Sequence, residues 1–230
     1  RDEGRSGFGN SKVMFRYLVS NRDFGLGDRF FLGFGLSVPS KNTLKEDPFA
    51  LGKRGLEHTH FAMSEGVLRG VSEIQFFRRT ESPFVLGVVG SLEAPLGPSK
   101  YGYLPGTEMA ISGMSYWQGK TFLGGMPFSL ITGQFRSEDY WDTVVTPNSG
   151  ATIIQAGVGL VWDISESLIT FSAQLPIVFE TNMVDDAAPV DSRVEVWMFS
   201  LSVRKMFNLF PEKKEDKEKH EHEGEIHHEM

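Results

Sequence analysis

Hydrophobic and polar residues alternate with a period of two along most of this chain, which predicts strands and leaves little room for helix. Nine segments carry the pattern: 11–20, 28–38, 66–78, 83–94, 107–117, 121–135, 150–162, 167–180 and 193–207. In the first, Val13, Phe15, Tyr17 and Val19 share one side, while Met14, Arg16, Leu18 and Ser20 share the other. In the eighth, Ile169, Phe171, Ala173, Leu175, Ile177 and Phe179 oppose Leu168, Thr170, Ser172 and Gln174. The last sets Trp197, Phe199, Leu201 and Val203 against Met198, Ser200, Ser202 and Arg204. One face is thus oily along its length and the other small or polar. Only 52–65 offers room for a short helical or irregular piece.

Alternation alone fits either a half-buried sheet or a barrel with lipid outside. Two further features favour the barrel. Joins at 21–27, 79–82, 118–120 and 163–166 are short, and they alternate with long ones at 39–65, 95–106, 136–149 and 181–192. The strands also exceed the usual five or six residues, as tilted spanning strands must. The fold expected is all-β: an antiparallel up-and-down transmembrane β-barrel over 11–210, between a loop remnant at 1–10 and a disordered acidic, His-rich tail at 211–230. Single-chain bacterial barrels use an even count. Nine strands therefore predict a barrel of ten or twelve, with its N-terminal part missing from this chain.

Composition narrows the chemistry. There is no cysteine, so disulfides, thiolate metal sites and cysteine nucleophiles are excluded. The net charge is −7, and 211–230, with eight acidic residues against four lysines, carries −4 of it. The remaining body is nearly neutral and has no basic cluster, which argues against nucleic acid as a partner. No apolar run is long enough for a transmembrane helix. Nucleophile elbows, zinc-protease motifs, phosphate loops and dinucleotide fingerprints are all missing, so no enzyme and no cofactor are expected.

The polar side of the strands supplies the candidate site. Arg16, Arg69, Glu73, Glu93, Glu108, Gln155, Gln174 and Arg204 are expected to line the lumen, either selecting a solute or satisfying one another. All six histidines lie off the strands. His220, His222, His227 and His228 alternate with Glu in the tail and are candidate ligands for a divalent metal. His58 and His60 form a weaker pair in an external loop.

Several stretches resemble the outer-membrane barrels associated with the meta pathway of phenol degradation. They are Phe24-Gly25-Leu26-Gly27-Asp28 leading into a strand, LGFGLSVPS at 32–40, LPGTEMAISGMSYW at 104–117, and the closing strand ending Arg204-Lys205-Met206-Phe207. Ser40 and Lys41 stand where the family has Thr-Gly. The resemblance implies a Gram-negative outer-membrane location and uptake of hydrophobic or aromatic compounds. The expected function is then porin-like passive or facilitated diffusion of small solutes, in contact with outer-membrane lipid and lipopolysaccharide. The expected tail faces the periplasm, where a protein or divalent metal could meet it. Two other readings stand beside this one: a non-transporting structural or binding barrel with a plugged lumen, and a soluble β-sandwich binding protein.

Overall fold

The computed structural model describes residues 7–21, 26–59, 62–147, 149–165, 167–181 and 197–205. Nine long strands form one antiparallel sheet: β1 (Ser11–Asn21), β2 (Gly27–Val38), β3 (Arg69–Arg79), β4 (Phe84–Pro95), β6 (Glu108–Trp117), β7 (Met126–Arg136), β10 (Ala151–Ile164), β11 (Ser167–Thr181) and β12 (Met198–Lys205). Each pairs with the next in this order, so the sheet is a meander. Three two-residue strands, β5 (Tyr103–Leu104), β8 (Tyr140–Trp141) and β9 (Val144–Val145), make a second, small sheet from the longer connections. Strands this short carry no readable alternation, which is why the sequence pattern does not predict them.

Local chemistry explains the connections. The β6–β7 hairpin closes with Phe122 bridged to Gly125 and both Leu123 (φ 50°) and Gly124 (φ 75°) left-handed. Two successive positive φ values give the turn whose twist matches a hairpin. The expected strand at 121–135 accordingly begins only at Met126. The one helix among the described residues, α1 (Pro48–Lys53), starts before the 52–65 stretch. Asp47 caps it by accepting from the Phe49 amide at 2.8 Å, and Pro48 stands where a missing N–H costs nothing.

The two faces of the nine-stranded sheet keep one register from edge to edge. Phe15 pairs with Phe34, Leu32 with Ile74, Phe76 with Val88, Leu92 with Met109, and Phe171 with Leu201. These form one continuous oily face, exposed on every strand. On the opposite face Glu93 pairs with Glu108 and Glu108 with Arg136. That face is concave. Lys12 on β1 reaches Glu93 on β4 at 2.5 Å, although three strand spacings of about 4.8 Å separate them on a flat sheet.

The closed barrel is not what these residues form. Among the described residues the sheet is open, with β1 and β12 as its edges and no pairing between them. Parity supplies a physical reason. Eight antiparallel steps bring β12 back to the direction of β1, so a junction between them would have to be parallel, unlike every other pair in the sheet. The expectation of a transmembrane barrel of ten or twelve strands is therefore corrected to an open nine-stranded meander with a small second sheet. No described helix is long and apolar enough to cross a membrane. The tail at 211–230 lies outside the described residues.

Candidate functional site

Polar chemistry concentrates at the end of the concave face where β2, β3, β4, β6, β7 and β10 meet the longer connections. Arg69 is its centre and is almost wholly buried, at 1% exposure. Its guanidinium donates to Glu65 at 2.5 Å and to the backbone carbonyls of Glu93 and Gly106 at 3.1 and 3.0 Å. It also lies 3.4 Å from the Glu93 carboxylate and 3.5 Å from Glu108. The 3.4 Å approach of Nε to Glu93 is an ion pair without hydrogen-bond geometry. Glu93 and Glu108 are direct cross-strand neighbours, an arrangement that costs stability for like charges. A guanidinium between them reverses the sign.

A second arginine extends the cluster. Arg136 donates to Glu108 and Glu65, both at 2.9 Å, and to Asp139 at 3.1 Å. Burial works against its charge, but Asp139 and Glu65 outweigh that and raise its pKa further. Asp139 also accepts the Tyr103 hydroxyl at 2.8 Å and the Gly106 amide at 2.7 Å, which fastens the small sheet to the large one. Burial first, and the Asp139 charge next, push the Tyr103 phenol far above its ordinary value. One row further in, Arg16 donates to Glu73 at 2.5 Å. That hydrogen bond lowers the Glu73 pKa against the opposing effect of burial, with Gln75 helping.

Two cavities flank the cluster. One of about 490 Å³ is lined by Lys12, Ser64, Glu65, Arg69, Glu93 and Glu108. The other, of about 440 Å³, shares Lys12, Glu93 and Glu108 and is completed by Gln134 and Arg136. The carboxylates of Glu65, Glu93, Glu108 and Asp139 are all engaged by the guanidinium groups of Arg69 and Arg136. The cluster is built as a cross-link.

The eight polar candidates from the sequence all fall on this one face by register, but they are not one site. Arg69, Glu93 and Glu108 meet in the cluster, and Arg16 pairs with Glu73 beside it. Gln155 lies buried opposite Thr132, two rows away from Glu93. Gln174 and Arg204 sit toward the far end, at the Met198 and Leu168 positions of the register. That end is apolar: Phe31 meets Phe77 edge-on at 6.3 Å, and Tyr116 packs on Phe128 at 5.3 Å. Sequence reasoning missed Lys12, Glu65, Arg136 and Asp139. Lys12 keeps the parity of Met14 and Arg16 and was legible on that ground. Arg136 falls one residue past the expected strand, and Glu65 and Asp139 lie in loops whose folding no periodicity reports.

The metal candidates His220, His222, His227 and His228 lie outside the described residues, as does His60. His58 has a ring nitrogen 2.9 Å from the Leu56 carbonyl. Among the described residues no group of three His, Asp or Glu is placed to hold a metal ion.

No family model, no curated protein and no solved structure matches this chain. The resemblance to the phenol-degradation barrels is corrected accordingly, since no family match accompanies its short glycine-rich motifs. The functional expectations built on it fall as well. Diffusion through the protein needs an enclosed lumen, as does its plugged-barrel alternative, and an open sheet encloses none. Outer-membrane lipid, lipopolysaccharide, a transported solute and a periplasmic protein or metal as partners all rested on the barrel, and they are withdrawn with it. The outer-membrane location and the periplasmic tail go for the same reason.

Proposed function

We propose that this chain is a non-enzymatic assembly protein, which acts by joining copies of itself through the edges of its nine-stranded sheet. The observation that carries this reading is the exposure of the edge strands. Phe15 and Tyr17 on β1 are 77% and 73% exposed, and Phe199, Leu201 and Val203 on β12 are 66%, 71% and 67% exposed. Among the described residues each edge strand presents an apolar row and has a strand neighbour on one side only, the combination that recruits another strand. Buried large hydrophobic residues among those described are few, namely Val67, Val71 and Trp141. A sheet with so small an apolar core gains stability from whatever covers its oily rows. A non-catalytic role agrees with the chemistry of the cluster, whose acids are held in ion pairs.

Sedimentation velocity without detergent, over a wide range of protein concentration, tests the proposal. The expected result is a sedimentation coefficient that rises with concentration toward dimer and higher species. A folded species that stays at the mass of one chain throughout would overturn it.

A further inference from the structure

We infer that the preferred junction is β1 against β1 of a second copy, antiparallel about a twofold axis at Arg16; this rests on the assembly reading above. Three observations converge on it.

The first is strand direction. Because β1 and β12 of one chain run the same way, joining β1 to a copy's β12 within a continuous sheet gives a parallel pair when the two copies share an orientation. A twofold axis makes β1 antiparallel to its own copy, the pattern of all eight pairs already in the sheet and the more stable one per residue. The second is side-chain matching. With Arg16 on the axis, Phe15 faces Tyr17 of the second copy on the oily side, and Met14 faces Leu18 of the second copy on the concave side. Leu18 is an apolar residue 40% exposed, and this register sets it against another apolar side chain. Moving the axis to Phe15 sets Leu18 against Lys12 instead. The third is charge. Arg16 would face Arg16 of the second copy, and like charges directly opposite are unfavourable, but each is already paired to its own Glu73 at 2.5 Å. Lys12 is likewise held by Glu93.

The size of the junction is limited. A register shift between Leu18 and Ser20 bends β1 and ends its flat stretch there. Four aromatic side chains of about 150–250 Å² each, roughly three-quarters exposed, offer on the order of 600 Å² of apolar surface. That is the range of weak, transient interfaces, below about 1,200 Å², so the junction forms reversibly and a covalent trap suits it.

The chain has no cysteine, which makes disulfide trapping free of background. The double variant Met14→Cys/Leu18→Cys places facing thiols at both ends of the proposed pairing, within the about 4.4–6.8 Å Cα separation a disulfide needs. Mild oxidation is expected to double its mass on a non-reducing gel. Each single variant should stay monomeric, because its thiols lie four residues apart across the axis, about 13 Å. If sedimentation shows assembly but the double variant does not link, while Leu201→Cys on β12 does, the β1 junction is wrong and the assembly reading stands. If linkage fails and sedimentation shows only single chains, both are wrong.

Discussion

The two faces of the nine-stranded sheet share a backbone and a register but are held in opposite ways. On the concave face, polar side chains are buried: Arg69, Ser37, Thr132, Gln155 and Ser172 are each less than a tenth exposed, and Arg69 and Thr132 are hydrogen-bonded to neighbouring strands. On the convex face, large apolar side chains stand uncovered from Phe15 on β1 to Val158 on β10 and Leu201 on β12. The usual distribution is inverted, and the reason is curvature. Curling brings the inner side chains of distant strands together, so long charged residues reach partners there, while the outer side chains are spread apart. The lesson is that substitutions inside should cost folding, and substitutions outside should cost association.

The largest effect is expected at the centre of the inner face. Arg69→Ala leaves Glu65, Glu93 and Glu108 without their shared cation and should destabilise the fold by about 3–5 kcal/mol, read as a lower midpoint in urea. A loss no larger than that of an exposed-face substitution would remove the cluster as a main support of the fold. Gly35→Ala comes next. A Cβ there would lie against the Val13 carbonyl and the Met14 side chain, and overpacking of this kind costs about 1–3 kcal/mol. Because the obstruction is backbone, hydrogen exchange should report faster opening of β1 from β2 and little change at β10–β11.

A smaller effect should appear with pH. Glu73 has its pKa lowered from 4.5 by Arg16 in the folded chain. Its contribution is therefore present above the ordinary carboxylate range and is lost as pH falls through the lowered folded value. The edge strand β1 should loosen in that acid window, and Glu73→Gln should show a weaker acid dependence of β1 protection than the parent chain. Equal acid dependence in the two proteins would place the titrating group elsewhere.

The smallest stability changes belong to the outer face, where they sharpen the contrast. Phe15→Ser and Val158→Ser replace residues 77% and 64% exposed, and each should alter single-chain stability by no more than about 0.5 kcal/mol. Phe15 lies on the edge and Val158 in the body of the sheet. Sedimentation should therefore weaken with the first and not with the second. Equal weakening would mean that copies meet face to face and not edge to edge.

Much of the sheet could be read from the chain, because alternation is a property of each segment alone. The parity of Phe15 and Arg16, or of Leu201 and Arg204, assigns them to faces whatever the neighbouring strands do. Short joins such as 163–166 keep consecutive strands together, so the meander order also follows. The candidate site was only half legible. Arg69, Glu93 and Glu108 could be named as polar-face residues, but nothing local says that Arg69 rather than Gln174 becomes the buried hub. That depends on the loop carrying Glu65 and on the curl that brings Arg136 and Asp139 alongside.

The sequence by itself determined the nine long strands to within a few residues, which side each residue presents, and which joins between them are short. The tertiary structure alone decided that the sheet curls without closing, that the charged residues of its inner face pair across distant strands, and that β1 and β12 remain edges. Strand formation and facing follow from steric and hydrophobic preferences over a few residues. Closure depends on curvature, strand direction and the pairing of segments nearly two hundred residues apart, and a period-two pattern contains none of these.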